Sequence, residues 1–290
     1  MVTQLPVHTA RARGRRLRAC LGSALALAFV LSVRPARAVD PFEIQVYDGT
    51  ADAPGVPGLE LHANYVASGL STAPPPQLPE NHVTHLTLEP SLGVLPWWEI
   101  GGYFETAIQK DGTFDYAGIK LRSKFVTPPG WHPHVRLGVN LEVSLLPQSY
   151  DRDRWGAEIR PIAAWENASW MFVVNPIVDL SLAGPDASAG PTFEPCGMAL
   201  YKIKTLISVG LEYYSNFGPF SGFVPLREQE HYLFEVVNLL SVKRLELNVG
   251  VGEGLTPGSN GLIFKTIVGY ELDSDEKPSV ARGGIVPRRF

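Results

Sequence analysis

Cysteine is nearly absent from this chain, whose 290 residues include two, Cys20 and Cys196. Without a set of disulfides, a chain of this length must be stabilised by burial of apolar surface or by a membrane. Long apolar runs are scarce as well. Residues 21–33 form an apolar stretch of thirteen residues, and no later apolar stretch approaches a length of eighteen residues. Membrane-spanning helices are therefore excluded.

Acidic residues are missing from the first 38 positions, which contain seven arginines. Five of these arginines precede the apolar stretch, and Ala36 and Ala38 follow it in an A-x-A pattern. This order is typical of a secretory signal peptide, and we expect cleavage after Ala38. Cys20 lies before the apolar stretch, so it does not fit a lipoprotein cysteine. A cytosolic chain with a chance apolar start is the alternative.

A basic surplus is also missing from the expected mature chain of 252 residues. Loss of the seven arginines leaves 18 basic and 29 acidic residues, a net charge of −11. Because nucleic-acid binding needs a basic surface, nucleic acid is excluded as a partner. Cys196 remains as a single thiol, so no intramolecular disulfide can form.

Alternation of apolar and polar residues is what the chain has in quantity, since it recurs in twelve segments of about ten to fourteen residues. They lie near 58–68, 82–94, 98–108, 114–125, 133–145, 154–165, 169–182, 192–203, 206–216, 229–238, 243–252 and 262–272. Strands that cross a bilayer need about nine to eleven residues, whereas strands of globular proteins peak near five or six. Pro90 and Pro161 lie inside two segments, and we expect a bulge at each.

The connections between these segments alternate in length. Short ones lie at 95–97, 166–168, 204–205 and 239–242, and long ones at 71–81, 147–153, 183–192, 216–229 and 254–261. The connections at 109–113 and 126–133 fit this alternation less well. Short periplasmic turns, longer extracellular loops and aromatic residues near strand ends, such as Trp98 and Trp170, are typical of outer-membrane barrels.

These features predict an all-β fold, a transmembrane antiparallel up-and-down β-barrel of about twelve strands. The expected organisation is a signal peptide over 1–38, a periplasmic or lumenal segment over 39–57, the barrel over 58–272 and a flexible tail over 273–290. Residues 41–49 alternate too briefly to span, so they could cross the periplasmic mouth, enter the lumen or add a thirteenth strand. A soluble β-sandwich is the alternative fold.

The stretch VRLGVNLEVSL (135–145) illustrates which environment each face of a barrel strand would contact. Its apolar positions, including Leu137 and Leu141, would face lipid, and its polar positions would face the lumen. The same rule applied to the segments from 114–125 onward predicts a set of lumen-lining residues: Lys120, Arg122, Lys124, Arg136, Asn140, Glu142, Glu158, Arg160, Asn175, Asp179, Glu212, Glu235, Glu246 and Asn248. These residues either pair across a filled lumen or line a pore and bias its selectivity.

Catalytic signatures do not stand out. No serine lies two residues from a histidine in a strand, as a membrane lipase would need, and GVGEGLT (250–256) is not followed by a helix, as a nucleotide fingerprint requires. We expect no catalytic residues, metal or cofactor. Outer-membrane lipids, the outer-membrane assembly machinery and a small-molecule solute are the expected partners.

Five stretches carry a resemblance to a known family: EIQVYDG (43–49), PGLELHANYVASG (57–69), TFEPCGMALY (192–201), GVGEGLT (250–256) and TIVGYEL (266–272). They resemble a family of Gram-negative outer-membrane proteins related to the transporter-like barrels of the meta-pathway of phenol degradation. The resemblance implies an outer-membrane location and uptake of small aromatic or other hydrophobic compounds. The leading hypothesis is thus a passive channel for small solutes. A non-conducting structural or adhesive barrel that acts through its outer loops is the second hypothesis, and a lipid-modifying enzyme is the third.

Overall fold

A computed structural model describes residues 39–204, 206–242 and 245–272 of the chain. The expected signal peptide and the expected tail after 272 lie outside these residues. Within them, no helix is long and apolar enough to cross a membrane.

The described residues form fifteen strand segments. They are β1 (Pro57–Ser68), β2 (Thr84–Leu95), β3 (Trp98–Ile108), β4 (Phe114–Val126), β5 (Val135–Leu145), β6 (Trp155–Glu166), β7 (Trp170–Asn175), β8 (Val178–Ala183), β9 (Thr192–Phe193), β10 (Cys196–Lys204), β11 (Ile207–Asn216), β12 (Gly218–Pro219), β13 (Glu230–Val242), β14 (Leu245–Gly254) and β15 (Leu262–Glu271).

These segments build twelve wall strands, because three wall strands are interrupted. β7 and β8 are two halves of one wall strand separated by Pro176 and Ile177, and both halves pair with β6. β9 continues into β10, and β11 continues into β12, across similarly short breaks. Every pairing is antiparallel between chain neighbours, and β1 pairs with β15 to close the ring. The prediction of a twelve-stranded antiparallel barrel is confirmed.

Alternation along each strand separates an apolar outer face from an inner face. The outer face carries large side chains that are between 38% and 69% exposed, among them Leu61, Leu88, Phe104, Leu121, Leu141, Ile159, Phe172, Leu211, Val237, Val251 and Phe264. The inner positions of β5 hold Asn140, 0% exposed, and Glu142, 4% exposed. A soluble sandwich would bury the leucines and expose these polar groups, so the barrel is of the membrane type.

The two ends of the barrel differ. The end that holds residues 96–97 and 167–169, here called the turn end, has these two tight connections and one longer one, 127–134 between β4 and β5. The opposite end, here called the loop end, holds the longer connections, including 69–83, 184–191 and 220–229. Aromatic rings cluster at the turn end, where Trp98 stacks on Phe125 at 6.0 Å and Trp170 stacks on Phe172 at 5.7 Å. Such rings are typical of the level of lipid headgroups.

Two local expectations are wrong. β13 continues to Val242, through the turn expected at 239–242, with a register shift after Leu239. Pro90 and Pro161 cause no bulge, because the registers of β2 with β3 and of β6 with its neighbours continue past them unchanged. Pro161 instead lies beside the break between β7 and β8, where the β6 ladder on that side is interrupted from residue 160 to 162.

Candidate functional site

The lumen contains residues 39–56, here called the inner segment, which form no strand and cross the barrel lengthwise. At the loop end, the backbone N–H of Val39 donates to Glu230 Oε2 at 2.9 Å. At the turn end, the N–H of Asp52 donates to Glu99 Oε2 at 2.6 Å, and the N–H of Gly55 donates to the Gly93 carbonyl at 2.8 Å. Of the three alternatives for residues 41–49, the structure has the segment inside the lumen.

Side chains of the wall satisfy the backbone of the inner segment. Asn175 makes two bonds with Tyr47: its Oδ1 accepts from the N–H at 2.8 Å, and its Nδ2 donates to the carbonyl at 2.9 Å. Two further wall side chains donate to carbonyls of the inner segment. Thr87 Oγ1 donates to the Phe42 carbonyl at 3.0 Å, and Lys265 Nζ donates to the Ile44 carbonyl at 3.1 Å. Because these bonds come from individual side chains, the segment is held by particular residues and not by a backbone ladder.

One glycine lets the inner segment pass close to the wall. Gly49 has φ +80°, a conformation that favours glycine, and a Cβ there would lie 3.1 Å from Arg136 Cβ. Next to it, Arg136 Nε donates to the Asp48 carbonyl at 2.9 Å. The turn at Gly49 thus brings the segment's backbone against β5.

A charged side of the lumen is formed by β2, β3 and β4. Arg122 Nη2 lies 2.6 Å from both Glu89 Oε1 and Glu99 Oε1, and Lys124 Nζ lies 3.0 Å from Glu99 Oε1. Lys120 Nζ lies 3.4 Å from Glu105 Oε1. The basic row of β4 is therefore neutralised by acids of neighbouring strands, which agrees with structural pairing for these residues.

Charges of the wall also bind the inner segment. Arg160 Nη1 lies 3.0 Å from Glu43 Oε1, and the Arg160 guanidinium lies 4.5 Å from the centre of the Tyr47 ring. Arg136 Nη2 lies 3.3 Å from Asp48 Oδ2. These contacts join β5 and β6 to the segment.

Apolar side chains of the inner segment pack against the wall in two buried clusters. Ile44 and Val46 of the inner segment belong to one buried cluster with Leu200, Phe234 and Val236. Phe42 belongs to a second, with Val83, Ala107 and Ala117. The larger cluster lies mainly towards β10 to β15, whereas the second lies against β3 and β4. Apolar packing therefore contacts the inner segment on two sides, and its ion pairs lie towards β4, β5 and β6.

Space remains beside the inner segment in a cavity that we call the chamber, with about 110 Å³ available to the centres of water molecules. Its polar and charged lining comes from the segment and from wall strands β1, β2, β4, β11, β13, β14 and β15: Gln45, Asp48, Thr50, Glu60, Glu89, Arg122, Lys124, Glu212, Asn238, Glu246, Asn248 and Lys265. Lys265 Nζ bonds Glu212 Oε2 within this lining.

The residues predicted to line the lumen fall into three groups. Eight are buried: Lys120, Arg122, Lys124, Asn140, Glu142, Arg160, Asn175 and Glu212. Five are half-buried: Arg136, Glu158, Asp179, Glu246 and Asn248. Among these five, Glu158 Oε1 lies 2.7 Å from Arg160 Nε, and Asp179 lies opposite Glu158 in the strand register. Glu246 and Asn248 line the chamber.

Glu235 forms the third group alone, and its predicted lumenal position is wrong. It is exposed on the outer face of β13, on the same parity as Leu233 and Val237. The inward parity of β13 carries Phe234 and Val236, because this part of the wall faces the apolar cluster of the lumen. The polar-inward rule fails where the lumen itself is apolar.

The prediction also missed polar residues of the lumen that are 7% exposed or less, of which we name ten. They are Glu60, His62, Asn64, His85, Thr87, Glu89, Ser91, Glu99, Glu105 and Lys265. For most of them the same alternation was available, since Glu60, His62 and Asn64 occupy successive inward positions of β1. Lys265 is harder to find, because its inward neighbours Ile263 and Ile267 are apolar.

Glu60, His62 and Glu89 offer ligand atoms that all lie within 4.8 Å of one another. His62 Nε2 lies 3.0 Å from Glu89 Oε2 and 3.5 Å from Glu60 Oε2. The other Glu89 oxygen binds Arg122, and Glu60 Oε2 accepts from Gln45. A proton on His62 would satisfy this geometry as well as a bound cation, so the cluster fits the charge network already described.

No protein-family model matches the chain, and no curated protein is significantly similar to it in sequence. Solved structures are similar in fold. An outer-membrane channel from Pseudomonas putida F1 superposes with a TM-score of 0.52 at 10% identity, covering 79% of this chain and 100% of that chain. The KdgM porin gives 0.51 at 8% identity, covering 74% and 99%. The NanC porin gives 0.50 at 10% identity, covering 74% and 100%. The chain therefore has the fold of outer-membrane channel and porin barrels.

Proposed function

We propose that this protein is a passive channel of the bacterial outer membrane and that small polar solutes or ions cross it through the chamber beside the inner segment. The turn end then faces the periplasm and the loop end faces the cell exterior, the arrangement that barrels with short periplasmic turns adopt. The observation that carries this proposal is the chamber, a space with room for water molecules inside a closed wall whose outer face is apolar.

The chamber's lining sets the class of solute. Carboxylates, ammonium groups and amides lie in this lining beside apolar residues of the segment and the wall: Val46, Tyr47, Met198, Leu200, Leu239, Leu247 and Ile267. The charged and polar groups favour small polar solutes or ions, which exchange their hydration for protein hydrogen bonds. The apolar residues provide contacts for the hydrophobic compounds that the family resemblance implies, and the narrow space limits the size of either class of solute.

A non-conducting barrel is the second candidate, because the inner segment occupies much of the lumen and is bound along its length. An enzyme has less support. No serine–histidine pair is bonded through its side chains among the residues that the structure describes, since the bonds between Ser259 and His231 use the backbone of His231.

Conductance of the purified barrel in a planar bilayer tests the proposal. We expect small, steady conductance steps, and we expect Glu246→Gln to reduce cation preference, measured as the reversal potential in a salt gradient. Glu235→Gln is the matched control, because it removes the same charge from the outer face of the same barrel. A folded barrel that passes no current would refute the channel and favour the non-conducting alternative. Equal shifts in both variants would refute passage through the chamber.

A further inference from the structure

We propose that the α-amino group of Val39, released by cleavage after Ala38, binds a carboxylate pair formed by Glu80 and Glu230. The chain's own mature N-terminus would thereby close the loop end of the lumen. This inference needs no conducting path and is independent of the proposed function.

A site for the N-terminal nitrogen is already built around Glu230. The Val39 nitrogen donates to Glu230 Oε2 at 2.9 Å, and the Tyr232 hydroxyl donates to the same oxygen at 3.1 Å. Glu230 is 3% exposed. A backbone amide brings one hydrogen and no charge to this position, whereas an α-ammonium group brings three hydrogens and a positive charge.

Among the residues that the structure describes, no cation pairs with the two carboxylates near the Val39 nitrogen. Asn260 links the two acids: its Nδ2 donates to Glu80 Oε2, and its N–H donates at 2.9 Å to the Tyr232 hydroxyl, which donates to Glu230 Oε2. Burial raises the pKa of Glu80 above its usual value; the hydrogen bond from Asn260 opposes this rise, and the negative charge of Asp40 adds to it. Lys120 pairs with Asp40 instead. Glu230 is buried and Glu80 is half-buried, and a carboxylate that is withdrawn from water is costly without an ion pair.

The sequence points to the same nitrogen independently. The A-x-A pattern ends at Ala38, so the expected cleavage frees the nitrogen of residue 39 and no other. A cleavage site displaced by even one residue would move the amine by roughly 3.3–3.6 Å in an extended chain, beyond hydrogen-bond reach of Glu230. The expected cleavage site and the position of Glu230 therefore select the same nitrogen, that of residue 39.

The consequence concerns the order of events in assembly. Val39 lies at the loop end and Pro57 begins β1 at the turn end, so the inner segment runs the length of the lumen before the first wall strand starts. Its loop end would be anchored by charge only after the leader has been removed. Signal cleavage would then release the chain and also create the ammonium group that closes the loop end of the lumen.

The test measures the reactivity of the α-amine. The N-terminus of the purified barrel is first identified by Edman sequencing and then labelled near neutral pH with an amine-reactive ester, and the labelled N-terminal peptide is quantified by mass spectrometry. We expect Val39 as the first residue. We also expect labelling at least tenfold slower in the folded barrel than in the urea-unfolded chain.

Two variants, each checked for heat-modifiable gel migration, locate the protection. Glu230→Gln should recover most of the unfolded-state labelling rate. Glu253→Gln, which removes an exposed carboxylate near the loop end of β14, should leave the α-amine protected. A different first residue, equal labelling of the folded and unfolded wild type, or equal effects of the two variants would overturn the proposal. If Glu230→Gln does not fold, the comparison of folded with unfolded wild type decides alone.

Discussion

Replacement of Lys265 by methionine should destabilise the barrel, because it leaves Glu212 as a buried carboxylate without its cation. Lys265 and Glu212 are 2% and 3% exposed, and Lys265 Nζ also donates to the Ile44 carbonyl of the inner segment at 3.1 Å. Removing one partner of a buried ion pair typically costs about 3–5 kcal/mol. Water in the adjoining chamber can solvate Glu212 in part, so we expect about 3 kcal/mol, the lower end of that range.

The double variant Lys265→Met/Glu212→Gln separates the charge effect from packing. With both charges gone, the loss should fall to about 1 kcal/mol, about 2 kcal/mol less than the loss in Lys265→Met alone. The free energy of unfolding is measured by urea titration of tryptophan fluorescence in lipid vesicles, with heat-modifiable migration as a check on folding. Single and double variants that lose the same stability would refute the reasoning, since packing alone would then explain the effect.

Two further predictions concern the outer face and the inner segment. Leu141→Arg should cost about 2–4 kcal/mol and impair membrane assembly, because Leu141 is 41% exposed on the lipid face of β5; the matched variant Leu141→Met should assemble normally in vesicles. Asn175→Ala removes both hydrogen bonds to the Tyr47 backbone, so the loss of about 1–3 kcal/mol should speed hydrogen exchange of the Tyr47 amide about tenfold or more. Asn248→Ala, in the chamber lining, is its control, and unchanged exchange in Asn175→Ala would contradict the assigned role.

The strands could be predicted from the sequence because each meets two environments of opposite polarity. In β5, lipid on one side and ion pairs on the other impose strict alternation on Val135–Leu145, and the strand has the expected parity. Glu235 could not be placed in this way. Its strand faces apolar packing on the inside, so both faces of β13 are largely apolar and one acidic residue does not reveal its direction.

The inner segment was harder to predict because its contacts join residues far apart in the sequence. Tyr47 binds Asn175, and Ile44 binds Lys265, at separations of 128 and 221 residues. No local pattern in residues 39–56 encodes these partners, and the brief alternation in 41–49 allowed an added strand equally well. The specific signal would have been the buried polar residues of β1 and β2, such as Asn64 and Thr87, which donate to the segment's carbonyls.

The position of the inner segment determines where a solute can pass. On the side of β2 to β6, arginine and lysine are engaged by acids of the wall and of the segment, so opening a path there would separate several buried ion pairs at once. On the side of β11 to β15, at the turn half of the lumen, the chamber already provides space lined by Asn238, Glu246 and Asn248. In the proposed channel, passage through the chamber therefore costs least along β11 to β15, away from the ion pairs of Arg122 and Lys124 that line its other side. Towards the loop end, that route meets the apolar cluster around Phe234, which makes this cluster the expected barrier to polar solutes.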